Sequence, residues 1–197
     1  MIEIDTPHGP ARAHLQRVRS ARGAVVLGHG AGGGVASRDL TAAAEAAAAE
    51  KFSVVLVEQP YRVAGRRSPA PARQLDAAWT AVIAELRSGP LKRLALITGG
   101  RSSGARVACR TATDTHAIAV LCLAFPLHPP GRPDKSRQDE LDAVEVPVLV
   151  VQGQSDPFGM PEPGENRTVV TVAGNHSLRA DLDAVGTAIT EWLAQVR

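Results

Sequence analysis

The feature that most constrains the fold is a series of short, unbroken apolar runs that alternate with stretches of helical periodicity. The runs cover residues 24–27, 53–57, 94–98, 118–123, 148–152 and 168–172. Runs of this kind are typical of strands that are buried on both faces of a parallel sheet. Helical patterns fall between them at 38–50, 72–87 and 103–113, and a last one covers 178–196. The alternation predicts an α/β fold with a mostly parallel central sheet and helices on both faces.

The N-terminal segment has a different pattern. Residues 2–6 and 12–18 alternate in polarity around Pro7-His8-Gly9-Pro10, which favours a turn, so we predict an antiparallel hairpin at the edge of the sheet. Two segments rich in proline or arginine, 61–71 and 126–139, are predicted to be surface loops. We find no internal repeat, and the length favours a single domain over residues 1–197.

Composition and charge exclude several classes of function. No run approaches the roughly 20 apolar residues of a membrane helix, and the acidic N-terminus is unlike a signal peptide, so we expect a cytoplasmic protein. A net charge of +2 with scattered basic residues does not indicate a nucleic-acid partner. Cys109 and Cys122 are expected to be small buried apolar residues. The expected partner is a small-molecule substrate, with the chain a monomer or homodimer.

The strongest motif is G-x-S-x-G, formed by Gly100, Ser102 and Gly104 between a predicted strand and a predicted helix. A nucleophilic serine on such a turn is strained, and small residues two positions before and after it let strand and helix approach closely. Ser103 is the weaker candidate because Arg101 and Ala105 would then occupy those positions. A glycine-rich turn without catalysis is the alternative reading of the motif.

A serine nucleophile needs a base, and the base needs an acid that orients it. His176 follows the last predicted strand and precedes the last helix, whereas the other histidines fall on the hairpin, on loops or before a strand. Asp156 follows the strand before the last one, although an Asp-Pro pair is also a common turn. The order Ser102, Asp156, His176 predicts a catalytic triad.

A glycine-rich turn at Gly28–Gly34 leaves an early strand. Glycines let backbone N–H groups approach a developing oxyanion, and we assign the donors to Ala31 and Ser103. A phosphate cradle is the alternative, but the spacing matches neither G-x-G-x-x-G nor G-K-[ST]. His29 is predicted to be a structural hydrogen-bonding residue. The histidines and cysteines lack metal-ligand spacing, so we predict neither a metal nor a cofactor.

Five segments carry a resemblance to the compact α/β-hydrolases related to dienelactone hydrolase: residues 28–33, 99–105, 125–131, 151–159 and 174–176. Within them the chain most resembles the group of testis-expressed α/β-hydrolase-like proteins and a regulatory subunit of the NSL acetyltransferase complex. The resemblance implies the α/β-hydrolase fold and an esterase-like activity. Ser102 would attack, His176 would act as base and then acid, and Asp156 would orient the imidazole.

The resemblance leaves the substrate open. Dienelactone hydrolase itself uses a cysteine where this chain has Ser102, and some relatives of the group serve as interaction scaffolds, which is the alternative function. Residues 125–146 are too few for a large helical lid, so we expect an open site for a small ester or related acyl compound. An acidic substrate is a further possibility that depends on Arg62, Arg66, Arg67 and Arg101. The candidate substrate contacts are Arg101, Phe125 and Phe158.

Overall fold

The structure, a computed structural model, describes residues 1–196. Its centre is an eight-stranded sheet with the order β1-β2-β4-β3-β5-β6-β7-β8. The strands are β1 (Ile2–Ile4), β2 (Ala11–Gln16), β3 (Gly23–Gly28), β4 (Phe52–Glu58), β5 (Leu96–Arg101), β6 (Ala119–Leu123), β7 (Val148–Gly153) and β8 (Arg167–Val172). The strands β1 and β2 pair antiparallel, β2 pairs antiparallel with β4, and all other pairs are parallel. The predicted mostly parallel sheet with an antiparallel N-terminal edge is confirmed.

Helices cover both faces of this sheet. They are α1 (Arg38–Ala49), α2 (Pro60–Val63), α3 (Ala72–Ser88), α4 (Ser103–Arg110), α5 (Gln138–Asp142) and α6 (Leu182–Leu193). Alternate residues of a strand point to opposite faces. On β3, Val25 and Leu27 pack with α1 and α6, whereas Ala24 and Val26 pack with α3. A third apolar cluster joins α4 and α5 to β6 and β7.

Several predicted boundaries move in the structure. Strand β5 begins at Leu96 and continues to Arg101, whereas the apolar run predicted 94–98. The strand continues through Gly99 and Gly100 because it pairs there with β6, and a local apolar count cannot detect such pairing. Helix α6 begins at Leu182 and not at 178, because the Asp181 carboxylate caps it by accepting the N–H of Ala184 at 2.9 Å.

The two predicted loops contain short helices. Helix α2 begins with Pro60, one residue beyond Gln59 that follows β4, and the first position of a helix is favourable for proline. Helix α5 begins in the last two residues of the second predicted loop and continues to Asp142, after a single 3-10 turn at Pro133–Lys135. Leu141 of α5 is buried with Ala108 of α4, so this excursion packs against α4 as a short element. No large helical insertion separates β6 from β7.

The two cysteines are buried neighbours, with their Sγ atoms 3.5 Å apart. They come from α4 and β6, and both belong to the cluster beneath α4. The hydrogen bond to Cys109 and burial together raise the pKa of the Cys122 thiol.

Across residues 1–196, none of the helices combines the length and the apolar character that crossing a membrane requires.

Candidate active site

Ser102 lies at the sharp turn between β5 and α4. Its backbone has φ 53° and ψ −110°, a region that non-glycine residues rarely adopt and that costs about 1–3 kcal/mol. The turn is held by the Ser102 N–H, which donates to the carbonyl of Leu123 at 2.8 Å. A Cβ on Gly100 would lie 2.8 Å from the carbonyl carbon of Gly104, so the two flanking positions must stay small. The turn therefore has the strain and the close approach that the motif predicted.

His176 lies in the loop between β8 and α6, with its imidazole against Ser102. The Nε2 atom is 2.9 Å from the Ser102 Oγ, and the Nδ1 atom is 2.8 Å from Oδ2 of Asp156. A carboxylate only accepts hydrogen bonds, so Nδ1 carries the proton and Nε2 is free to accept the serine hydroxyl. The structure thus brings the three residues that were predicted as a triad into one hydrogen-bonded chain.

The side chain of Asp156 is fully buried, and hydrogen-bond donors surround its carboxylate. Besides His176, Oδ2 accepts the Nε2 group of Gln152 at 2.8 Å, and Oδ1 accepts the backbone N–H of Phe158 at 2.9 Å. These donors fix the plane of the carboxylate, and so fix the direction from which it meets the imidazole. The loops of Asp156 and His176 are also tied to each other, because the N–H of Ser155 donates to the carbonyl of Gly174 at 2.9 Å.

The glycine loop after β3 lies beside the Ser102 turn. A Cβ on Gly104 would lie 2.9 Å from the carbonyl oxygen of His29 and would overlap the carbonyl of Gly28. This contact places Ala31 and Ser103, the predicted N–H donors, on two adjoining segments. The hydroxyl of Tyr61 donates to the carbonyl of Ala31 at 2.9 Å and so anchors the loop from α2.

His29 is a structural residue of this loop. Its ring is buried, its Nε2 accepts the N–H of Gln59 at 3.1 Å, and its Nδ1 lies 2.8 Å from the carbonyl of Gly30. The neutral ring with a proton on Nδ1 satisfies both contacts. Burial, which penalises the charged form, lowers the pKa of His29 below its ordinary value of 6.5.

This lowered pKa predicts that acid weakens the fold through His29. Between the folded and the unfolded pKa values the unfolded chain binds more protons, so the contribution of His29 is complete above about pH 6.5 and is lost as the pH falls. We expect His29→Gln, which stays neutral and keeps an acceptor, to reduce the loss of unfolding free energy between about pH 7 and about pH 5. Urea titrations of both proteins measure this slope. Equal slopes would contradict the prediction.

The sequence family described as alpha/beta hydrolase domain matches residues 21–192. The chain belongs to the α/β-hydrolase family. Its sheet order, the strained Ser102 after β5, and Asp156 and His176 after β7 and β8 agree with this membership.

Solved structures resemble this α/β-hydrolase over nearly its whole length. A lidless α/β serine hydrolase from Xanthomonas campestris has a TM-score of 0.78 at 21% identity, covering 98% of this chain and 93% of that one. Est1E from Butyrivibrio proteoclasticus, solved with ferulic acid bound, has a TM-score of 0.81 at 16% identity, with coverages of 100% and 99%. Dienelactone hydrolase from Anabaena variabilis has a TM-score of 0.76 at 19% identity, with coverages of 99% and 96%. At these identities the likeness shows the fold alone.

The three predicted substrate contacts have different surroundings in this α/β-hydrolase. Phe158 is half-buried and stacks on His176, with ring centroids 4.1 Å apart and planes inclined by 29°. The Phe125 side chain has no exposed surface because it packs into the cluster beneath α4, so its prediction as a substrate contact does not fit the structure. Arg101 turns toward Asp39 and the carbonyl of His176.

Three residues with clear roles in the geometry were missed from the sequence. Gln152 is buried at the end of β7 and donates to the Asp156 carboxylate; a glutamine within an apolar strand was the available signal. Tyr61 and Asp39 had no comparable signal, because each acts on a segment that is distant in sequence.

Within residues 1–196, no three His, Cys, Asp or Glu side chains are grouped so that they could hold a metal ion.

Proposed function

We propose that the chain is a serine hydrolase that cleaves a small ester or related acyl compound through an acyl-enzyme on Ser102. The observation that carries the proposal is the hydrogen-bonded chain from Ser102 Oγ through His176 to the buried Asp156. In this proposal the unprotonated Nε2 of His176 would accept the serine proton, and the Asp156 carboxylate would stabilise the imidazolium that results.

The first half of the reaction forms the acyl-enzyme. The Ser102 Oγ bonds to the carbonyl carbon while its proton passes to His176 Nε2, and the carbonyl π electrons move to the oxygen. The N–H groups of Ala31 and Ser103 would donate to this oxyanion. When the carbonyl re-forms, the bond to the alcohol oxygen breaks and His176 returns the proton to the leaving alcohol.

The second half releases the acid. A water molecule attacks the acyl carbon as His176 takes its proton, and collapse of the second tetrahedral intermediate breaks the bond to Ser102 Oγ, which regains a proton from His176. Ser102, with a relative exposure of 9%, is close enough to the surface for water to reach the acyl group with little rearrangement.

The proposed substrate is small because little structure is available to enclose a long chain. Between β6 and β7 the helical elements are a single 3-10 turn and the five-residue helix α5, whose Leu141 packs against α4. Among similar structures, one is described as lidless and another contains ferulic acid, a small carboxylic acid. A carboxylesterase or a dienelactone-hydrolase-like reaction fits these features. Membership in the group of testis-expressed and NSL-complex α/β-hydrolase-like proteins remains a proposal that rests on the sequence resemblance alone.

A series of p-nitrophenyl esters with acyl chains of increasing length tests the proposal. If the site enclosed the acyl chain of the ester, each added CH₂ would contribute about 0.8 kcal/mol of binding free energy, which is roughly fourfold in kcat/KM. We expect kcat/KM to be highest for acetate to butyrate and to stay level or fall for longer chains. A folded protein with no turnover on any ester would contradict the proposal and favour the scaffold function. A steady rise to long chains would contradict the small substrate.

A further inference from the structure

The guanidinium of Arg101 joins three segments around the candidate active site. Its Nε donates to Oδ2 of Asp39 at 3.2 Å, and one Nη donates to the backbone carbonyl of His176 at 3.0 Å. The other Nη and the Cδ occupy the space beside Gly30, where an added Cβ would lie 2.8 Å and 3.0 Å from them. A single side chain thus contacts the first turn of α1, the histidine loop and the glycine loop.

Asp39 gives this side chain a fixed anchor. Its carboxylate is almost fully buried, with a side-chain exposure of 3%, and Oδ1 accepts the N–H of Leu40 at 2.9 Å. A buried carboxylate requires a charged or hydrogen-bonding partner, and Arg101 supplies it at Oδ2. The guanidinium of Arg101 is therefore held in place by Asp39, in addition to the constraint from the backbone of β5.

The position of Arg101 in the chain makes this contact relevant to the chemistry. Arg101 is the last residue of β5 and is joined by a peptide bond to Ser102. Its side chain holds the carbonyl of the residue whose imidazole accepts the Ser102 hydroxyl. The nucleophile and the base are thus linked twice, through their own hydrogen bond and through Arg101. A shift of about 1 Å between reacting groups can cost about 100-fold in rate, so a side chain that fixes their separation affects the rate.

We propose that Arg101, anchored by Asp39, is a positioning residue that holds the His176 loop against Ser102. The inference depends on the proposed serine hydrolase function for its effect on rate. It assigns to Arg101 a role other than binding an acidic substrate. An arginine that binds a carboxylate presents two parallel N–H groups to it, whereas here Nε and one Nη are committed to protein acceptors.

The test compares Arg101→Gln, Arg101→Lys and Asp39→Asn with a matched control, Arg110→Gln. Arg110 of α4 has a side-chain exposure of 19%, close to the 21% of Arg101, and it also makes a partly buried ion pair, with Asp76. The hydrogen bonds of the Arg110 side chain go to Asp76 and Glu140, and none goes to Ser102, His176 or Asp156. A general loss of stability would therefore affect Arg101→Gln and Arg110→Gln alike, whereas a loss of positioning would affect the Arg101 variants but not Arg110→Gln.

We expect Arg101→Gln to lower kcat by about 10- to 100-fold on neutral and anionic esters alike, with KM changed by less than about threefold. Asp39→Asn keeps an acceptor for Nε and should lose less. Lysine has one compact ammonium and cannot reproduce both bonds, so Arg101→Lys should restore only part of the rate. Arg110→Gln should keep the parent kcat. A rise in KM confined to anionic esters would instead make Arg101 a substrate contact and overturn the inference.

A proton NMR measurement separates this inference from the proposed function, because it needs no turnover. The His176 Nδ1 proton, which is hydrogen-bonded to Asp156, should give a downfield resonance that is retained in Arg110→Gln and is broadened or lost in Arg101→Gln. If the parent shows this pattern but never cleaves an ester, the serine hydrolase proposal fails and the positioning of His176 stands. If the parent is active and Arg101→Gln keeps both its resonance and its kcat, the positioning inference is overturned.

Discussion

The Ser102→Ala variant should lose at least about 10⁴-fold in kcat on every ester that the parent cleaves, because the acyl-enzyme has no atom on which to form. The fold should be unaffected. The Ser102 hydroxyl is hydrogen-bonded to the imidazole of His176 and to no other described residue, and the Ser102 backbone N–H, which holds the turn to Leu123, remains in alanine. Steady-state kinetics on a short p-nitrophenyl ester measure the loss, with a thermal melt to verify folding.

Ser103→Ala distinguishes the two adjacent serines. Alanine keeps the backbone N–H that we assign to the oxyanion, so this variant should stay within about tenfold of the parent. The two substitutions should thus differ by about three orders of magnitude or more in kcat. Equal losses, or a larger loss at position 103, would show that the nucleophile has been assigned to the wrong residue.

Gly104→Ala should cause a large loss of stability for the addition of a single methyl group. Its Cβ would overlap the backbone of the loop after β3, including the carbonyl carbon of Gly28 at 2.6 Å. Backbone atoms at the end of a central strand cannot move aside as a flexible side chain can. Overpacking of this kind costs about 1–3 kcal/mol and sometimes more, so we expect the unfolding free energy to fall by about 3 kcal/mol.

Gly186→Ala is the matched control, since it adds the same methyl group to another helical glycine. Gly186 lies within α6, and a Cβ there would meet no atom within 4 Å. Alanine should raise the unfolding free energy by about 0.5–1 kcal/mol through its better helix propensity. The two variants should therefore change stability in opposite directions in urea denaturation. A Gly104→Ala protein as stable as the parent would contradict the close packing of helix and loop.

The sequence predicted those parts of the site that depend on strand ends. Parallel strands deliver their carboxyl ends to one edge of a sheet, so Ser102, Asp156 and His176 could be assigned from their positions after β5, β7 and β8. The same logic located the glycine loop after β3. None of these assignments required the direction of a side chain.

Side-chain direction is the part that the sequence could not supply. Phe125 and Phe158 are both loop phenylalanines that follow a strand, yet the first packs inward under α4 and the second stacks on His176. Arg101 resembles a surface arginine beside a nucleophile, but it turns toward Asp39, which lies 62 positions earlier in the chain. The partner of a long side chain depends on tertiary packing, which local composition does not encode.

The most direct test of the account is covalent labelling of the parent protein with a fluorophosphonate, followed by peptide mass spectrometry. We expect one adduct, on Ser102, that is absent in Ser102→Ala and forms far more slowly in His176→Ala. An adduct on another residue, or labelling of the His176→Ala protein at the parent rate, would contradict activation of Ser102 by His176.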